Sequence, residues 1–166
     1  LHRMGLEELL NDFGITGISE EAKADLNLAW HRLDPWPDSP PGLQRLKSKF
    51  ILATMSNGNI ALMVDMAKYA GLPWDTILGA ELAHAYKPDA KTYLTGVELL
   101  HLKPEQVMMV AAHQGDLLAA AKQGLRTAFV KRPLERGING KVDTTPDPSF
   151  DYVCDDFRDL ATQLSV

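Results

Sequence analysis

The run Phe50-Ile-Leu-Ala-Thr-Met55 is short, apolar at five of its six positions, and stopped by the polar turn Ser56-Asn57-Gly58. It lacks the in–out alternation of a strand with one wet face, so it reads as a strand buried on both sides. A helix-period segment, Asn59 to Ala70, follows at once and ends at Gly71-Leu-Pro73. The same grammar recurs: Val107–Ala111 and Thr127–Val130 are further core strands, and Thr76–Ala80 is a shorter one. Helix-period segments lie at Asp89–Leu100 and Leu117–Gln123, and Tyr152–Cys154 followed by Phe157–Leu164 reads as an edge strand and a terminal helix. Strands alternating with helices specify an α/β fold: a Rossmann-like parallel sheet with helices on both faces. Such sheets place ligands outside the carboxyl ends of their strands, which makes Ser56 and Asn57 the first candidate site residues.

The opening third reads differently. Met4, Leu6, Leu9, Leu10 and Phe13 form one helical stripe that stops near Gly14 and Gly17. Ser19 ahead of Glu20 and Glu21 signals a second helix start, expected to run to about Leu33 with Leu26, Ala29 and Trp30 on one face. Two helices without a strand suggest part of a helical cap. The proline-rich stretch Asp34 to Gly42 lets neither helix nor strand through. Residues 1–41 are therefore assigned to cap and return linker, and 42–166 to the core domain, which opens with a short helix from Gly42 to Lys49. Lys131 to Ser149 is a long surface loop. The chain starts at Leu1 already in helical pattern, and it is expected to be the C-terminal part of a longer protein.

The net charge of −5 and pI near 5.5 exclude the basic face of a nucleic-acid binder. No stretch approaches the roughly 18 apolar residues that span a bilayer, and Leu1 to Leu10 lacks the apolar core of a signal peptide. The single Cys154 makes no internal disulfide, and the expected location is the cytoplasm.

Three polar groups follow strand ends or lie in the loops between them: Ser56-Asn57, Lys87, and His113 with Asp116. Each has an ordinary structural reading. Ser-Asn-Gly is a common turn, a lysine before proline is usually solvated, Asp116 can be a helix N-cap, and His113 can be a hydrogen-bonded structural histidine. Parallel neighbouring strands would bring all three to one edge of the sheet.

In order and spacing, strand-Ser-Asn-Gly, then Tyr86-Lys-Pro-Asp89, then Val110-Ala-Ala-His-x-x-Asp116 resembles the haloacid dehalogenase superfamily, closest to its type II (S)-2-haloacid dehalogenase branch. Trp36-Pro-Asp38 and Gly124-Leu-Arg-Thr127 also look like that branch. The resemblance implies that Ser56 and Asn57 bind the substrate carboxylate and that Lys87 offsets negative charge around a nucleophilic aspartate. Asp116 then holds Lys87 or assists the water, and His113, at a position often filled by Asn, borders the water or the halide. Superfamily phosphatases carry Gly-Asp-x-x-x-Asp where this chain has Ala111, Ala112 and Asp116. An alanine supplies no oxygen ligand for magnesium, so no metal or cofactor is expected, and dehalogenation is favoured over phosphoryl transfer. Trp30 and Trp36 are expected to pack in the core or to stand beside the pocket.

The family nucleophile lies in an Asp-x-x-Gly-Thr segment after a first strand, and neither that segment nor the family's substrate-binding arginine is found here. That first core strand is accordingly expected to be absent, leaving a gap between the Met55 and Val107 strands. The implied activity of the whole enzyme is hydrolysis of short 2-haloacids through an aspartyl ester, with a homodimer as the implied assembly. The alternatives are a magnesium-dependent phosphatase of the same superfamily and a truncated, inactive domain.

Overall fold

A computed structural model describes residues 2–166. The chain begins with helices α1 (His2–Asp12) and α2 (Glu20–Asn27), and α2 tightens into a 3₁₀ turn at Leu28–Arg32. Ser19 caps α2 by accepting the Ala22 N–H at 3.1 Å. The single helix expected to reach Leu33 is thus broken. Arg32 folds back to bond both the carboxylate and the carbonyl of Asp25, which holds the tighter turn. Leu10 is the one buried residue of α1 and α2, while Met4, Leu9, Phe13 and Leu26 of the apolar faces lie open. Neither Trp30 nor Trp36 sits in the core. Trp30 is about half exposed and stacks on His2, and Trp36 lies under the Arg132 guanidinium, 5.2 Å from its ring centre.

Helix α3 (Ser39–Leu46) starts earlier than the prolines suggest. Pro40 and Pro41 occupy its first turn, where the amides have no intrahelical acceptor and proline costs nothing. Gly42 is required by contact: a Cβ there would stand 2.5 Å from the Cβ of Phe157. That absence lets α3 lie against α8 (Phe157–Gln163).

Strand β1 is Ala53–Ser56, three residues shorter at its start than the apolar run. The Leu52 N–H is taken by the Asp75 carboxylate at 2.9 Å, and Phe50 N–H closes the end of α3 on the Leu46 carbonyl. β1 pairs in parallel with β2 (Thr76–Gly79), and α4 (Ile60–Ala70) makes the crossover. Thr54, buried within β1, accepts the Leu78 N–H through its hydroxyl at 3.0 Å. Short α5 (Ala80–Ala83), not foreseen from sequence, places Glu81 to accept the Ile60 N–H at the start of α4.

After α6 (Ala90–Leu99), capped by Asp89, a second parallel sheet runs in the order β3 (Met108–Ala111), β4 (Arg126–Val130), β5 (Tyr152–Cys154). Helix α7 (Gln114–Ala121) links β3 to β4. β4 is buried from Thr127 to Val130, as a central strand must be. Its Ala128 and Val130 face Leu43, Leu46, Leu160 and Ala161 of α3 and α8. Its Phe129 faces Tyr93, Val97, Leu117 and Ala120 of α6 and α7. Each large apolar side chain sealed in these layers contributes about 1.5–3 kcal/mol. All strand pairs are parallel, with helices on both faces, as the sequence pattern requires. Among the described residues the strands form two sheets, with one edge of β1 and one edge of β3 unpaired. No described helix is long and apolar enough to cross a membrane.

Candidate active site

Ser56 is the last residue of β1, and its Oγ accepts the Gly58 N–H at 3.0 Å, which turns the chain out of the sheet. Asn57 follows at the carboxyl edge, and its side chain is spent on a neighbouring segment. Oδ1 accepts the Lys87 N–H at 2.7 Å, and Nδ2 donates to the Lys87 carbonyl at 3.3 Å. Both polar ends of one amide therefore grip the backbone of one residue in the loop between α5 and α6.

That grip aims the Lys87 side chain. Its Nζ lies 2.5 Å from Asp116 Oδ2, and both side chains are largely buried, 18% and 16% exposed. The other Asp116 oxygen, Oδ1, accepts the Tyr93 hydroxyl at 2.6 Å. Asp116 is not the N-cap that one sequence reading allowed. Helix α7 begins at Gln114 with His113 in the cap position, and Asp116 stands in its first turn with both oxygens committed elsewhere. Burial pushes the Tyr93 hydroxyl well above its ordinary pKa, and its hydrogen bond to Asp116 and that carboxylate's charge push it further. Tyr93 therefore stays a donor at every ordinary pH.

The expected convergence is thus partly realised in direct contacts. Asn57, Lys87 and Asp116 form one chain of hydrogen bonds joining the turn after β1 to the turn after β3. Ser56 is adjacent to it in sequence but bonds only within its own turn. The His113 side chain is 71% exposed and pairs instead with Glu135, Nε2 to Oε1 at 2.6 Å. Sequence reasoning missed Tyr93 and Glu135. A signal for Tyr93 exists, since it falls on the inward face of the helix that Asp89 caps. Glu135, in an irregular loop, has none.

Lys87 carries three N–H donors and spends one on Asp116 among the described residues. A second anionic oxygen can therefore share the ammonium. Ala111 and Ala112, where β3 ends, offer no side-chain oxygen. Asp116 is engaged at both oxygens, by Lys87 and Tyr93. With one carboxylate and two alanines, the described residues here supply few of the oxygen ligands that a divalent metal takes. A cavity of about 270 Å³ opens beside Asn57 and is bordered by Glu81, His84 and Tyr86.

Comparison with known proteins identifies the family and the fold. The family described as haloacid dehalogenase-like hydrolase matches residues 1–124. (S)-2-haloacid dehalogenase 4A of Burkholderia cepacia is 33% identical over 137 residues, which cover 75% of this chain and 59% of that protein. The solved structure of the L-2-haloacid dehalogenase PA0810 superimposes with a TM-score of 0.95 at 46% identity, over 99% of this chain and 70% of that one. Phosphoglycolate phosphatase of Aquifex aeolicus is 33% identical over 99 residues, covering 57% of this chain and 46% of its own length.

Proposed function

Since the chain belongs to the haloacid dehalogenase-like hydrolases, we propose that its protein hydrolyses short 2-haloalkanoic acids through an aspartyl-ester intermediate. The observation that carries this reading is the Lys87 ammonium, fixed at one edge of the fold with donors to spare, together with Ala112 where a superfamily phosphatase carries its first motif acid. The nucleophilic aspartate comes from a segment outside these 166 residues, on a strand that pairs with the free edges of β1 and β3. Its carboxylate attacks C2 of the substrate and expels halide, and water then hydrolyses the ester. Lys87 offsets the charge around that carboxylate. Asp116 and Tyr93 hold Lys87, and Asn57 fixes its backbone. Ser56 and the amides of its turn receive the substrate carboxylate, and His113 borders the hydrolytic water. In this reading residues 1–41 are cap and return linker, 42–166 are the core, and the protein works as a cytoplasmic homodimer.

One observation favours a second reading, the likeness to a phosphatase over 99 residues. A phosphatase of this superfamily uses magnesium to offset phosphate charge. Ala111, Ala112 and the doubly engaged Asp116 are poor ligands for it.

The test is halide release from 2-chloropropionate by the full-length protein without added metal, with equimolar 2-hydroxy acid as product. Turnover unaffected by a chelator is expected. Hydrolysis of a phosphate ester that a chelator abolishes, with no halide release, would replace this reading with the second. Inactivity toward both would leave a non-enzymatic role.

A further inference from the structure

The loop 131–149 has no regular structure, yet side chains tether it to the turn after β3. Gln114 Nε2 donates to the Thr145 carbonyl at 2.8 Å, and His113 Nε2 meets Glu135 Oε1 at 2.6 Å. Between loop and turn lies a cavity of about 580 Å³, lined with His113, Gln114, Glu135, Arg136, Lys141 and Asp143. It is polar enough to hold water that is itself hydrogen-bonded.

An ionised carboxylate only accepts hydrogen bonds, so Nε2 of His113 must carry the proton it shares with Glu135. The remaining ring nitrogen, Nδ1, is then a lone-pair acceptor in the neutral imidazole, and it makes no hydrogen bond among the described residues. A carboxylate behind an imidazole fixes its tautomer, orients the ring and stabilises the imidazolium formed when the free nitrogen takes a proton. His113 stands three residues before Asp116, on the turn that also holds Lys87 through that acid.

We propose that Glu135 is a positioning residue for His113, and that the pair serves the ester-hydrolysis half of the reaction. This rests on the dehalogenase reading above. Water attacks the acyl carbon of the aspartyl ester and gives its proton to His113 Nδ1. The bond from the acyl carbon to the substrate oxygen breaks, and that oxygen takes the proton from His113 as the 2-hydroxy acid leaves. The aspartyl carboxyl group left by hydrolysis releases its remaining proton to solvent, which regenerates the carboxylate, and water is the only other reactant. The first half-reaction, carboxylate attack with loss of halide, has no proton to transfer and does not involve the pair.

The experiment separates the two halves in the full-length protein, using rapid quench with 2-chloropropionate and intact-protein mass spectrometry. In wild type, halide and hydroxy acid are expected to appear together. In Glu135→Ala the steady-state rate falls about ten- to hundredfold and in His113→Ala about a hundredfold. One equivalent of halide is still released in a burst, and the covalent adduct accumulates. Glu135→Gln, which still accepts from Nε2 but carries no charge, recovers part of the loss. If the variants lose halide release and hydrolysis in parallel, or keep wild-type rates, or show no adduct, the pair has no such role. If wild type releases no halide at all, the dehalogenase reading itself fails and takes this one with it.

Discussion

Replacing Tyr93 by Phe tests the network at its most buried member. The Tyr93 ring is fully buried against the core cluster of Val97, Leu117 and Phe129, and Phe keeps that ring and its packing. What is lost is one hydroxyl, 2.6 Å from a carboxylate oxygen of Asp116. A hydrogen bond to a charged group is worth about 1.5–3 kcal/mol. The loss stays within that range because Lys87 still neutralises Asp116, so no charge is stranded. In a domain of this size each kcal/mol moves the melting temperature by about 2–4 °C, giving a fall of roughly 3–12 °C. The pH dependence supplies a second readout. Burial first, then the bond to Asp116, raises the folded-state pKa of Tyr93 above the ordinary 10.0. A raised folded value means stability that is complete below about pH 10 and drains as pH rises beyond it. Tyr93→Phe cannot lose that increment, so the gap between variant and wild type should narrow by up to about 1.4 kcal/mol per pH unit above pH 10. Urea unfolding at pH 7 and pH 11 measures both quantities. A variant within about 0.5 kcal/mol of wild type at pH 7, or a gap unchanged at pH 11, would refute the hydrogen bond as the link between α6 and Asp116.

Three other substitutions probe the frame. Lys87→Met leaves Asp116 with only the Tyr93 donor in a largely buried place; it should cost up to about 3 kcal/mol by urea unfolding and, on the dehalogenase reading, abolish halide release. Arg132→Ala unpairs the buried Asp38, which Arg132 contacts at 2.9 Å, and should cost about 3–5 kcal/mol. Burial alone would raise the Asp38 pKa, but bonds from Arg132 and the Phe157 N–H outweigh it and lower it. The stability these bonds confer is therefore present above the ordinary carboxylate range and lost as pH falls toward the folded value, and the variant's unfolding should be flatter across that acid limb. Gly42→Ala drives a methyl onto the Phe157 backbone and should cost about 1–3 kcal/mol or more, seen as a lower melting temperature.

The alternation of strand and helix was legible because β4 and its neighbours are buried on both faces, and burial writes itself into the sequence as unbroken apolar runs. A cap was legible where one side chain does the work: Ser19 caps α2 as its position implies, whereas Asn59, read as the first residue of its helix, is in fact its cap. Boundaries failed where a distant residue decides. Asp75 takes the Leu52 amide and so shortens β1 from afar. Lys87 and Tyr93 draw Asp116 away from the cap that local sequence offers it. The first two helices misled in another way. Their apolar stripes are real, but in these residues they stay largely open, so periodicity announced a helix without announcing what it covers.

The position of the network gives it a meaning beyond the sum of its bonds. β1–β2 and β3–β4–β5 share no ladder among the described residues. The chain of contacts from Asn57 through Lys87 to Asp116 ties the end of the first sheet to the start of the helix leaving the second. Lys87 could not be shifted by an ångström without straining both, since Asn57 grips its backbone and Asp116 its tip. A lysine needed only for solubility would be left free to sample rotamers, at a saving of up to about 2 kcal/mol in side-chain entropy. Here that freedom is surrendered at the carboxyl edge of a parallel fold, where α/β proteins bind their ligands. Fixing a cation in advance is what makes it effective against charge that develops during a reaction, because no reorganisation remains to be done. The same restraint makes Asn57 a clamp: both its polar ends are held by the Lys87 backbone, so on the dehalogenase reading it acts through the lysine it positions.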